Sequence, residues 1–158
     1  MVDRGPLTAA GTALGIGMGG FVDGIVFHQI LQIHNMLSAI RPPINLVNAE
    51  INMFWDGLFH AFTWTMTAVG IGLLWRAVNR PRAFLSTRVF AGTLLLGWGL
   101  FNLVEGIIDH HLIGIHHVVE GANHLAYDLA FLASGVIFIA TGTLIARGGI
   151  GPRARMGA

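Results

Sequence analysis

The chain has 158 residues, 54% of them hydrophobic and only 11% charged, with no cysteine and a mean hydropathy of +0.67. That composition is too apolar for an ordinary soluble domain, and it excludes disorder, a disulfide scaffold and thiolate metal sites. A formal net charge of +1 excludes the basic footprint of a nucleic-acid binder. All nine basic residues are arginine, and eight histidines match eight carboxylates in number.

Four apolar runs, at about 8–32, 52–75, 89–108 and 123–146, are each long enough to cross a hydrocarbon core of roughly 30 Å, which takes about 20 helical residues. The expected fold is all-α: a polytopic membrane four-helix bundle in a single transmembrane domain over residues 1–158, surrounded by lipid. The first run reads as a membrane helix rather than a signal peptide, because Asp3 cancels Arg4 in its leader and no small-residue cleavage site follows. Gly15/Gly19 and Gly20/Gly24 have the four-residue spacing that lets membrane helices approach closely. Trp55 and Trp75 fall near predicted helix ends, where an aromatic belt is expected.

Arginine placement sets the expected orientation, since short loops rich in basic residues stay in the cytoplasm. Arg76, Arg80, Arg82 and Arg88 lie in the second loop, and Arg147, Arg153 and Arg155 in the C-terminal tail, whereas the first loop has only Arg41. Both termini are therefore expected in the cytoplasm. Reporter fusions at Arg41 and Arg82 should give external and cytoplasmic signals respectively, and a cytoplasmic signal at Arg41 would contradict the topology.

In that topology every histidine lies at the external end. The candidate ligands there are Asp23 and His28 in the first run and Asp56 and His60 in the second. Glu105, Asp109 and His110 close the third, and His116, Glu120, His124 and Asp128 lead into the fourth. Intramembrane carboxylates cost roughly 2.5–3.5 kcal/mol each at a helix centre on the most lenient scales, so acids in all four runs point to function. Asn48, Asn52, Asp56 and His60 are successive i, i+4 neighbours, as are His116, Glu120, His124 and Asp128; both sets are expected to form helical stripes. His34, His111 and His117 read equally well as interfacial residues.

An offset of 82 residues lays Asp23-Gly24-Ile25-Val26-Phe27-His28 over Glu105-Gly106-Ile107-Ile108-Asp109-His110, with His34 on His116 and Gly15 and Gly17 on Gly97 and Gly99. A weaker match lays Trp55-Asp56 on Tyr127-Asp128. Two tandem helical hairpins, at about 8–75 and 89–146, are expected around a pseudo-twofold axis along the membrane normal. Asp23 and His28 are five residues apart, as are Glu105 and His110, which is about 140° around a regular helix. Either a π-bulge brings each pair together or each member serves a different position in a larger cluster. The larger cluster is the expectation.

Imidazoles and carboxylates without thiolates suit zinc, iron or copper(II), and helical bundles hold such ions with side chains projecting inward from several helices. The expected function is that of a membrane protein with a multinuclear His/carboxylate metal centre near the periplasmic face, with a metal-dependent enzyme as one reading of its role. Handling or transport of metal or protons, and haem b held between histidines, stay open as alternatives. A homo-oligomer is compatible with all of them.

The Phe21 to Gln29 stretch, Asp56-Gly57-Leu58-Phe59-His60 and the Glu105 to His117 segment resemble the characteristic blocks of a bacterial family of small four-helix membrane proteins catalogued as a domain of unknown function. The resemblance spans nearly the whole chain. It implies a multi-pass protein of the inner membrane with respiratory or metal-handling membrane partners, raises copper among the candidate metals, and brings no established reaction.

Overall fold

The computed structural model describes residues 3–148, which form four membrane-length helices, Gly5–Ile30, Leu46–Val78, Thr87–Ile113 and His124–Gly148. No strand occurs among the described residues. Arg153 and Arg155, two of the arginines used to orient the chain, lie outside them. Helix α1 (Gly5–Val22) runs on into a π-helical segment, Asp23–Ile30; α2 is Leu46–Val78; α3 (Thr87–Glu105) runs on into a second π segment, Gly106–Ile113; and α4 is His124–Gly148.

Helix α1 packs against both α2 and α3, and α3 against α4, so α1 and α3 form the centre and α2 and α4 flank them. Burial follows that order. The apolar windows of the first and third spans are 56% and 44% buried, whereas those of the second and fourth are 17% and 11% buried and give most of their surface to lipid. Glycine permits the central contact: a Cβ on Gly15 would overlap the Leu94 carbonyl oxygen, and one on Gly97 the Thr12 carbonyl oxygen. With no hydrophobic force between helices in lipid, this closeness supplies the packing that holds them. Gly70 meets Leu14 and Gly142 meets Leu96 in the same manner.

Helix α2 begins at Leu46, earlier than the apolar run suggests, because Asn45 caps it by accepting a hydrogen bond from the Asn48 amide at 2.9 Å. Trp55 therefore stands well inside the helix rather than near its end. The stripe expected from His116 through Asp128 is also corrected. Gly114 leaves the second π segment with φ +63°, Gly121 has φ +124°, and α4 starts only at His124, so His116 and Glu120 lie on a loop. Glycine takes those left-handed conformations without the Cβ penalty, and the helix cannot continue through them.

Asp23 and His28 both sit on the first π segment, whose i to i+5 bonding stacks such positions, whereas Glu105 ends α3 and only His110 lies on the second π segment. His28 Nε2 lies 3.0 Å from Asp23 Oδ2, which corrects the expectation that the two serve separate positions. In the second half the expectation fits better, because Glu105 approaches His116, at 3.7 Å, and His110 approaches Asp128, at 3.4 Å.

Candidate metal centre

At the histidine-rich end, Asp56 of α2 and Asp128 of α4 anchor two loops. Asp56 accepts from the Met36 amide at 2.8 Å, from Asn35 Nδ2 at 3.0 Å and from His28 Nδ1 at 2.9 Å. Asp128 accepts from the Val118 amide at 3.0 Å and from His117 Nδ1 at 2.8 Å, with His110 Nδ1 at 3.4 Å. Met36 and Val118 are 82 residues apart. The loops then exchange bonds: His34 Nδ1 donates to the Val118 carbonyl at 2.9 Å, and His116 Nδ1 to the Met36 carbonyl at 3.2 Å.

That exchange fixes the tautomers. A neutral imidazole donating from Nδ1 carries its lone pair on Nε2, so His34 and His116 both turn an acceptor nitrogen inward. Their rings stack with centroids 4.9 Å apart and planes 11° from parallel. His116 Nε2 lies 3.2 Å from His110 Nε2, and His34 Nε2 lies 3.7 Å from Asp23 Oδ1. Burial above all, with the neighbouring His34 and His110, holds the His116 imidazole well below its ordinary pKa and hence in the neutral form a metal requires.

The interior that results is rich in unmatched ligand atoms. Asp23 Oδ2, His28 Nε2, His34 Nε2, both carboxyl oxygens of Glu105 and His110 Nδ1 are buried and lack a hydrogen bond of proper geometry. Leaving such groups bare is costly, and a bound cation would compensate it. Among the described residues, three trios have ligand atoms within 4.8 Å of one another: His28, His34 and His116; Glu105, His110 and His116; and His117, His124 and Asp128. The first two trios are wholly buried and share His116.

Of the candidate ligands named from sequence, Asp23, His28, Asp56, Glu105, His110, His116 and Asp128 come together here. His124 lies beside His117, ring centroids 4.0 Å apart. His60 Nδ1 donates to the carbonyl of Asp56 at 2.7 Å, and its ring packs against Gly24. Glu120 ties the loops by accepting from Ser38 Oγ at 2.7 Å, and Asp109 lines a cleft between α2 and α3. His34 and His117, which read equally well as interfacial residues, both contribute ligand atoms. The repeat carries a signal for His34, which it pairs with His116. His117 has no such signal, because its counterpart Asn35 has no imidazole. His111 donates to the Gly106 carbonyl at 2.7 Å and stands apart.

Four lipid-facing helices enclosing acids and imidazoles at one end define a polytopic membrane protein with a buried polar centre. The chain belongs to the family of predicted membrane proteins designated DUF2243, whose model matches residues 10–149. No curated protein and no solved structure matches it.

Proposed function

We propose that this protein binds transition-metal ions, zinc, iron or copper, in the buried cluster, and that it works as a metal-dependent membrane enzyme. The reading rests on one observation: two wholly buried trios, His28/His34/His116 and Glu105/His110/His116, share His116, in an interior where ligand atoms of Asp23, His28, His34, Glu105 and His110 lack a hydrogen bond of proper geometry. The chemistry of the donors agrees. Imidazole with carboxylate and no thiolate suits a divalent ion, and the Met36 and Val118 carbonyls hold the tautomers of His116 and His34 as outer partners of metal-bound histidines usually do. A metal there would supply Lewis acidity or an activated water; the chain's own part is to orient the imidazoles and to exclude lipid.

The proposal includes a tandem duplication with a pseudo-twofold axis passing between His34 and His116, supported by contacts that repeat at the same offsets in both halves. Gly15 with Leu94 corresponds to Gly97 with Thr12, and Gly70 with Leu14 corresponds to Gly142 with Leu96. It also places the cluster toward the periplasm of a bacterial inner membrane, with cytoplasmic termini, on the distribution of arginine. Purified protein should carry at least one zinc, iron or copper ion per chain by elemental analysis after removal of loosely bound metal. A metal-free chain that also fails to take up any of the three when they are offered would refute the reading.

A further inference from the structure

Between α2 and α3, over Ile16 of α1, lies a cleft of about 570 Å³, a size typical of small-molecule sites. Its walls are almost wholly apolar. Toward the cytoplasmic end of the proposed topology stand Phe62, Met66 and Leu100; toward the cluster end stand Trp55 and Phe59, with Glu105 and Asp109 about one turn apart on the opposite wall. Leu58 and Val104, which line it too, are 47% and 56% exposed and thus face lipid at its mouth. Glu105 is only 4% exposed, and neither of its carboxyl oxygens has a hydrogen-bond partner.

The equivalent positions in the other half carry bulkier aromatic side chains. At the repeat offsets Trp98 stands for Ile16, Phe138 for Met66 and Phe27 for Asp109. The Trp98 ring crosses Phe138 with centroids 5.7 Å apart and lies against the backbone of Gly19, where a Cβ would come within 2.7 Å of it. The side with the cleft therefore has the smaller Ile16 where the other has an indole, and a second acid, Asp109, where the other has Phe27.

We propose that the cleft binds a quinol: a hydroxylated aromatic ring on a hydrocarbon tail, taken up sideways from the bilayer. The tail lies along Phe62, Met66 and Leu100. The ring sits between Trp55 and Phe59, where offset or edge contacts with aromatic side chains are favourable, and its hydroxyls donate to Glu105 and Asp109. A simple acyl chain would use the apolar walls and leave the Glu105 oxygens bare, while a charged headgroup has no counter-cation here. The proposal deepens the metal reading by giving the same centre a ligand at its edge, and it is tested on chain stripped of metal, so that either can fail alone.

The test is equilibrium binding of a radiolabelled quinol bearing a ten-carbon tail to the full chain, chelator-treated, in phosphatidylcholine nanodiscs. Saturable uptake of one molecule per chain is expected. Glu105→Leu, which removes both acceptors but keeps an apolar volume, should weaken binding at least tenfold, and Val104→Trp, which fills the mouth from the lipid side, should do the same without touching the acids. The O-methylated quinol, which has the ring and tail but no donors, should bind at least tenfold more weakly than the quinol. Absence of saturable uptake, equal binding of the O-methylated compound, equal competition by 1-decanol, or undiminished binding to Val104→Trp would each overturn the proposal.

Discussion

Replacing His116 with alanine is expected to lower metal affinity about 100-fold or more and to leave a folded helical protein. Loss of an outer partner of a metal ligand typically costs 10- to 100-fold, and a direct ligand should reach at least the top of that range. His116 is common to both fully buried trios, so its removal weakens each of them, whereas His28→Ala or Glu105→Ala takes a ligand from one only. The fold should survive because His116 sits on a loop and donates a single hydrogen bond, to the Met36 carbonyl. His111→Ala is the control, since that ring bonds the Gly106 carbonyl away from the cluster. Metal content by elemental analysis, set against helicity by circular dichroism, reads the result. Unchanged metal in His116→Ala, with metal present in the unmodified chain, would move the site elsewhere, the trio of His117, His124 and Asp128 being the next to test.

Gly97→Leu is expected to destabilise the bundle by about 3 kcal/mol or more, at or above the upper end of the usual range for overpacked positions. The side chain would have to displace the Thr12 carbonyl and neighbouring backbone of α1, and backbone within a helix cannot rotate aside as a flexible side chain does. Relief requires α1 and α3 to separate, which also pulls apart the π segments that carry His28 and His110. Metal binding should therefore fall together with stability. Gly72 is the matched control: nothing lies within 4 Å of a Cβ there, and Gly72→Ala should be neutral or stabilise by up to about 1 kcal/mol through helix propensity. Unfolding in detergent followed by circular dichroism gives both values. A Gly97→Leu protein as stable as the parent would mean that the central helices do not meet there.

The spans and the polar end are legible in the amino-acid order because both depend on local composition. A helix in lipid must be long and apolar, and acids that interrupt it stand out by cost alone, as Asp23, Asp56, Glu105 and Asp128 do. The stripes are legible only where the helix is real. Asn48, Asn52, Asp56 and His60 do lie on α2, while His116 and Glu120 match the same spacing by coincidence and lie on a loop that Gly114 and Gly121 turn aside. Spacing cannot tell these cases apart, since periodicity carries meaning only once the backbone is known to repeat.

The sequence by itself determined a four-span membrane protein with its histidines and most of its acids gathered at one end, and an acid-glycine-histidine block that occurs twice. Those properties follow from residue type and order along each helix. Only the tertiary structure decided that π-helical turns set His28 against Asp23, that the loops trade the Met36 and Val118 carbonyls so that His34 and His116 face each other, and that a cleft opens beside Glu105 while the Trp98 ring packs on Phe138. These are contacts between residues up to 84 positions apart, made by loops and by packing across helices. Their geometry depends on how closely glycine lets α1 and α3 approach, a distance that no periodicity within one helix encodes.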